Sequence, residues 1–180
     1  MKNSKHAFVA LLSVLAAGTA SAQSMGRDDG YYGEIGYSAI KFDDGSSTPT
    51  PKLARLIVGK NFNENLDIEG MAALTVSKDS WKEGAVSGEL SGKNFGIFAK
   101  PKLEITKATE FFGRLGFSRT SWKSNSAAGD TNDSFTKLAY GVGIQTQFTK
   151  DVHGQVDYMN LGKKDGVSAK GFTFSVGTRF

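Results

Sequence analysis

Charged residues that could do chemistry recur at every second position along much of this chain. Glu34, Arg55, Asp67, Glu69, Lys100, Lys102, Arg114, Lys137, Asp157 and Arg179 all fall on one parity of alternating segments, with Tyr32, Ile57, Met71, Phe98, Phe112 and Met159. Carboxylates and cations drawn out of water must pair or neutralise, so this set reads as a buried ion-pair cluster. Counted along the segments, Glu34, Glu69, Lys100 and Arg114 stand at one level, which predicts that Glu69 pairs with Lys100 and lies near Arg114, with Arg55 and Asp157 in the same cluster. Such a cluster is either a structural plug or a gate across a narrow polar passage.

Other chemistry is thinly represented. The chain has no cysteine, which removes disulfides, thiol catalysis and Cys-ligated zinc. Acyl transfer or proteolysis needs a positioned base, usually histidine. Beyond the leader there is one, His153, and its spacing to Asp157 makes a weak acid–base pair. The run Gly129-Asp130-Thr131-Asn132-Asp133-Ser134 carries oxygen ligands, but not at the spacing of a defined calcium loop. Gly141-x-Gly143 precedes no helix and is no nucleotide fingerprint. No catalytic residue, metal site or cofactor is assigned.

The elements that carry these residues follow a leader. Met1–His6 is basic, Ala7–Ala17 is apolar, and Ala20 and Ala22 occupy the −3 and −1 positions of an A-x-A cleavage site. Residues 1–22 therefore read as a cleaved signal peptide and 23–180 as the mature domain. An 11-residue apolar run is too short for a spanning helix. Without Lys2 and Lys5 the chain holds 20 basic and 18 acidic residues, scattered rather than clustered, which sets nucleic-acid binding aside.

From Tyr31 onward the apolar period is two, not 3.6. Eight segments, 31–42, 53–62, 66–76, 95–103, 111–118, 138–148, 152–159 and 172–180, each set an apolar face against the mixed one. Longer polar connections at 43–52, 77–94, 119–134 and 162–171 alternate with short ones at 63–65, 104–110 and 149–151. Long-short alternation over an even number of strands is the pattern of an antiparallel up-and-down transmembrane barrel.

The apolar face is the one expected to meet lipid. Tyr31, Phe62, Phe111, Phe148 and Phe180 lie at its short-turn end, and Phe95, Phe117, Tyr158 and Phe172 at the other, as two aromatic girdles. Lys60 falls on this face near the lower rim, Pro101 predicts a bulge or fraying in the fourth strand, and Trp81 and Trp122 fall in outer loops, facing lipopolysaccharide or a partner. A soluble barrel would expose the Phe111–Phe117 and Phe172–Phe180 rows to water.

With leader, strands and ending in view, the mature chain resembles the small outer-membrane β-barrels of the OmpA/OmpX type. The segment Gly171–Phe180, with Phe172, Phe174, Val176 and terminal Phe180, resembles the signal read by the outer-membrane assembly machinery. Asp157-Tyr158-Met159-Asn160-Leu161 resembles a penultimate strand of that family. The resemblance implies an all-β fold, an eight-stranded antiparallel barrel in a Gram-negative outer membrane. It implies a non-enzymatic, cofactor-free monomer surrounded by lipid and lipopolysaccharide, serving membrane integrity and surface interaction through its loops. A narrow gated porin-like channel and a soluble lipocalin-like periplasmic binder are the alternatives.

Overall fold

A computed structural model describes residues 30–46, 48–83, 86–126 and 129–180. The signal peptide with Ala20 and Ala22 lies outside the described residues. Among the described residues nine strands follow in order: β1 Tyr31–Asp43, β2 Lys52–Asn63, β3 Leu66–Ser77, β4 Asp79–Glu83, β5 Val86–Thr106, β6 Thr109–Ser126, β7 Gly129–Gln147, β8 Val152–Lys164 and β9 Val167–Arg179. Every pairing is antiparallel. Neighbours in sequence pair except β3 with β4, β1 pairs β9, and β3 pairs β5, so the sheet closes on itself. β3 and β4 form one stave broken at Lys78, which makes eight staves. Closure leaves no free edge around the middle of the barrel, the condition for crossing hydrocarbon without unpaired backbone groups.

Alternation sorts the side chains as the period of two requires. Ile97, Phe117, Phe174 and Phe62 stand outside with 66–74% of their surface exposed, while Glu69, Arg114, Phe98 and Lys100 lie inside with 0–2% exposed. A wall that is apolar outside and charged inside is stable only when the outside solvent is lipid. The aromatic girdles sit at two levels. At the lower end Phe111 opposes Ile144 and the Phe180 amide donates to Tyr31 O; higher up, Ile97 opposes Phe117 and Tyr158 stacks on Phe172 at 4.7 Å. Lys60 keeps its ammonium at the lower rim, 3.1 Å from the Tyr31 hydroxyl.

The staves are longer than their apolar alternation. Residues 86–94, 119–126 and 129–134, expected as loops, are strand. β5, β6 and β7 continue in register far above the girdles, from Phe95–Arg119 to Gly88–Ser126 and from Phe117–Leu138 to Ser126–Gly129. Water bathes the outer surface there, so the alternation loses its apolar half while the ladder persists. The fourth expected loop is equally contracted. β8 and β9 join through Asp165 and Gly166 at φ 49° and 88°, with Lys164 paired to Val167. Positive φ at both central residues defines the tight hairpin turn that Asp-Gly favours.

Two smaller expectations are corrected as well. β5 runs through Pro101 to Thr106, so the turn is only Lys107–Ala108. Pro101 causes no bulge: Ala99–Leu115 and Lys102–Phe112 keep one register around it. The proline simply cannot donate to the ladder. The register shifts lie elsewhere, at Lys52/Leu53, Asn61/Asn63, Glu104/Thr106 and Asn160/Gly162; at the last, Gly162 takes φ 105° and a Cβ would meet Lys137 Cβ at 2.8 Å.

Candidate functional site

The lumen is where the sequence concentrated its charge, and the register explains how the charges meet. Inward positions on β1, β3, β5, β6 and β8 converge at one level because the staves are tilted and sheared. Lys100 Nζ lies 3.4 Å from Glu69 Oε1 and 3.7 Å from Glu34 Oε1. Arg114 binds Glu69 through Nε, Asp157 through Nη1 at 2.9 Å, and Glu34 through Nη2 at 3.6 Å. Arg55 reaches Asp157 through both terminal nitrogens, one at 2.8 Å, and Ser175 Oγ at 3.0 Å. Lys102 meets Asp67 at 2.7 Å. Tyr32 donates to Glu69 Oε1 at 2.6 Å, and Lys100 donates to Gln145 Oε1 at 2.9 Å.

Four carboxylates thus face four cations, all buried. Burial removes the hydration of each ion, and only this many close partners offset that cost. The cluster is electrically balanced and sterically full. Directly above it Met71, Phe98 and Met159 fill the bore, and higher still a polar layer pairs Ser38 with Thr173 at 2.7 Å and Asn94 with Thr120 at 2.7 Å. An apolar cap of Ile40, Phe42, Leu90, Phe135 and Leu161 closes the upper end.

The tryptophans belong to that cap. Trp122 packs against Phe42 and Phe135, ring centroids 6.4 and 5.6 Å apart, and Trp81 Nε1 donates to Ser124 Oγ at 2.9 Å. Both point into the barrel mouth rather than toward lipopolysaccharide or a partner. Their inward parity on strands extended above the membrane was the missing signal.

Other singled-out residues are held in plain structural contacts. His153 Nε2 lies 3.2 Å from Glu34 Oε1, not from Asp157, whose oxygens go to Arg55 and Arg114. The glycine-aspartate run is strand: Asp130 pairs with Lys123 at 3.2 Å and Asp133 with Lys164 at 2.8 Å. These lysines take the oxygens a cation would use. Lys137 leaves the lumen set, since it is exposed beside the Gly162 bulge. Arg179 lines a cavity of about 520 Å³ at the short-turn mouth with Lys102, Glu104 and Glu110.

A closed eight-stave wall with an apolar exterior, aromatic girdles and a charge-paired interior defines an integral outer-membrane β-barrel. The chain belongs to the outer membrane protein beta-barrel domain family, which it matches over residues 8–180. It is similar in structure to the attachment invasion locus protein Ail of Yersinia pestis, at 25% identity and a TM-score of 0.64 over 84% of this chain and 99% of that one. Neisserial surface protein A aligns at 14% identity and a TM-score of 0.67, covering 84% and 97%. The N-terminal β-barrel domain of Pseudomonas aeruginosa OprF aligns at 10% identity and 0.61, covering 84% and 98%. No functionally curated protein matches the sequence. The protein resides in the bacterial outer membrane, where its wall faces lipid.

Proposed function

We propose that this barrel is a non-enzymatic monomer, delivered by a cleaved leader spanning residues 1–22, whose work is done on its outside rather than through its bore. The observation that carries this reading is the filled lumen. The balanced cluster around Arg114 and the apolar cap around Phe42 and Phe135 occupy successive levels of the bore. An open passage would require both layers to move, and each is bound by several staves at once.

The functional surface is then the tall β4–β5 and β6–β7 hairpins with the shorter β8–β9 hairpin. Short turns and both ends of the barrel wall lie at the other rim, the arrangement of a barrel whose long hairpins face outward. The segments above the upper girdle carry Lys82, Lys93, Lys163 and Lys170 in addition to Lys78, Lys123 and Lys164, which pair with Glu89, Asp130 and Asp133; the first four are suited to anionic surface groups. The Yersinia relative bears the name of an attachment protein. The outward Phe172, Phe174 and Val176 of β9, with Phe180 directly after it, would hand the nascent chain to the outer-membrane assembly machinery.

The discriminating experiment is conductance. Folded protein inserted into a planar bilayer should give no sustained channel at moderate voltage, and Glu69→Ala should not create a selective one. Reproducible unitary currents from the wild type, altered by Glu69→Ala, would replace this reading with the gated-pore alternative.

A further inference from the structure

A cavity of about 230 Å³ lies at the upper mouth, between the β1–β2 connection and the ends of β4, β5, β6 and β7. Sites for drug-sized ligands run to roughly 300–1,000 Å³, so this one admits a single small group. Trp81, Trp122 and Phe42 line it, with Pro49 and Leu90. Asp44 is the only charged side chain among its lining residues.

The protein holds this cavity in shape by itself. Gly88 and Gly92 of β5 carry no side chain where the rings lie: a Cβ would meet Trp81 Cζ2 at 2.9 Å in the one case and Phe42 Cζ at 3.1 Å in the other. The Trp81 indole donates to Ser124 Oγ at 2.9 Å, and the Trp122 ring is tilted 54° to Phe42. The β1–β2 connection is pinned on both sides. The Phe42 amide donates to Pro49 O at 2.9 Å, and the Thr50 amide to Asp79 Oδ2 at 2.7 Å. A pocket fixed in this way costs little to organise on binding. Both tryptophans keep part of their surface exposed, and Asp44 stands exposed at the rim, so the pocket opens outward.

Aromatic walls beside a carboxylate attract a cation. Hydrogen bonding decides which kind. A primary ammonium brings three N–H donors that need acceptors. Here Ser124 Oγ already accepts from Trp81, and Asp44 Oδ1 already accepts from the Ser46 amide at 2.9 Å. A quaternary ammonium brings diffuse charge, an apolar shell and no donor to satisfy. We infer that this pocket binds a quaternary ammonium group, the trimethylammonium of choline or of its phosphate esters, between Trp81, Trp122 and Phe42 with Asp44 as its counter-charge. No lysine is among the lining residues, which separates this site from the anion-facing surface proposed above.

The test uses the full folded protein in a maltoside detergent, whose head group carries no quaternary ammonium. The two tryptophans of the chain both line the pocket, so the intrinsic emission of the intact protein reads its occupancy. Choline and tetramethylammonium should shift that emission saturably. Ethanolamine, and neohexanol as the uncharged carbon isostere of choline, should need roughly tenfold higher concentrations, the usual strength of a desolvated cation–π contact. Asp44→Asn keeps an oxygen for the Ser46 amide; it should weaken choline several-fold and leave neohexanol unchanged. Trp81→Ala should remove saturable binding, read on Trp122. Asp44→Asn alters one exposed side chain and keeps the test decisive if Trp81→Ala fails to fold. Glycerophosphocholine bound as well as choline would assign the pocket to lipid head groups, and its exclusion would assign it to free solutes; either result upholds the site. The absence of a saturable shift, an equal response to neohexanol, or wild-type choline binding by Asp44→Asn each overturns it. None of these readouts depends on whether the bore conducts, so their failure is separate from a failure of the filled-lumen reading.

Discussion

Arg114 on β6 and Glu69 on β3 are bound side by side in the lumen although β5 stands between their strands. Arg114 also binds Asp157 of β8 and Glu34 of β1, so this one guanidinium ties four staves together across the bore. Neither residue of the Arg114–Glu69 pair has a solvated alternative.

Removing one member of that pair should therefore be costly. Glu69→Ala leaves Arg114 and Lys100 with fewer anions in a dry site, and a broken buried pair typically costs about 3–5 kcal/mol. The urea midpoint of the detergent-folded barrel should fall accordingly. The double variant Glu69→Gln/Arg114→Met, which removes both charges, should lose less than the sum of its parts. Full additivity in that cycle would mean the two side chains are not coupled.

Barrel closure depends on a place where two backbones nearly touch. A Cβ on Gly171 of β9 would lie 1.9 Å from the Ala39 carbonyl oxygen of β1, against backbone that cannot swing aside. Gly171→Ala should therefore prevent the β1–β9 ladder from forming, seen as loss of the fast-migrating unboiled band. Gly70→Ala on the open lipid face is the matched control and should migrate as the wild type does.

The mouth of the barrel should be stabilised by its aromatic cap rather than by its loops. Trp122→Ala removes the ring wedged between Phe42 and Phe135, and a Trp→Ala change in a core costs about 3–5 kcal/mol, less where the ring is only half-buried as here. Thermal unfolding in detergent should drop while outer-membrane fractionation persists. An unchanged melting temperature would mean the cap contributes no stability.

What could be read from the sequence was whatever a two-residue period encodes. Inside and outside were legible from pairs such as Glu69–Gly70 and Phe111–Phe112, because lipid and lumen demand opposite side chains. Strand length was not, because above the girdles Lys93, Ser121 and Asn132 face water and nothing apolar marks the outer face. The tight β8–β9 turn was signalled by Asp165-Gly166, which the long-short alternation of loops obscured. The placement of His153 on Glu34 rather than Asp157 was hidden for another reason. It depends on the shear between β1 and β8, which pair not with each other but both with β9.

The last prediction concerns pH at the outer hairpins. Above Tyr140–Asn160 no ladder joins β7 to β8, and Lys164 of β8 crosses to Asp133, 2.8 Å from both carboxylate oxygens. The hydrogen bond from Lys164, with a second from the Ser134 amide, holds the Asp133 carboxyl below its usual range, and the same contact with Asp133 holds the Lys164 ammonium above its own. A carboxylate held low stabilises the fold above its unfolded value, and that contribution is lost as pH falls through its folded value. An ammonium held high stabilises below its unfolded value, and that contribution is lost as pH rises through its folded value. The bridge thus contributes fully between the two unfolded values, roughly pH 4 to 10, and is lost as pH falls below or rises above that window through the two folded values. Amide exchange in residues 129–137 should be slowest in that window and faster at pH 3 after correction for intrinsic rates. Asp133→Asn should abolish the difference while leaving exchange in the lipid-facing part of β7 unchanged. If the variant keeps the wild-type profile, the hairpins are held by something other than this bridge.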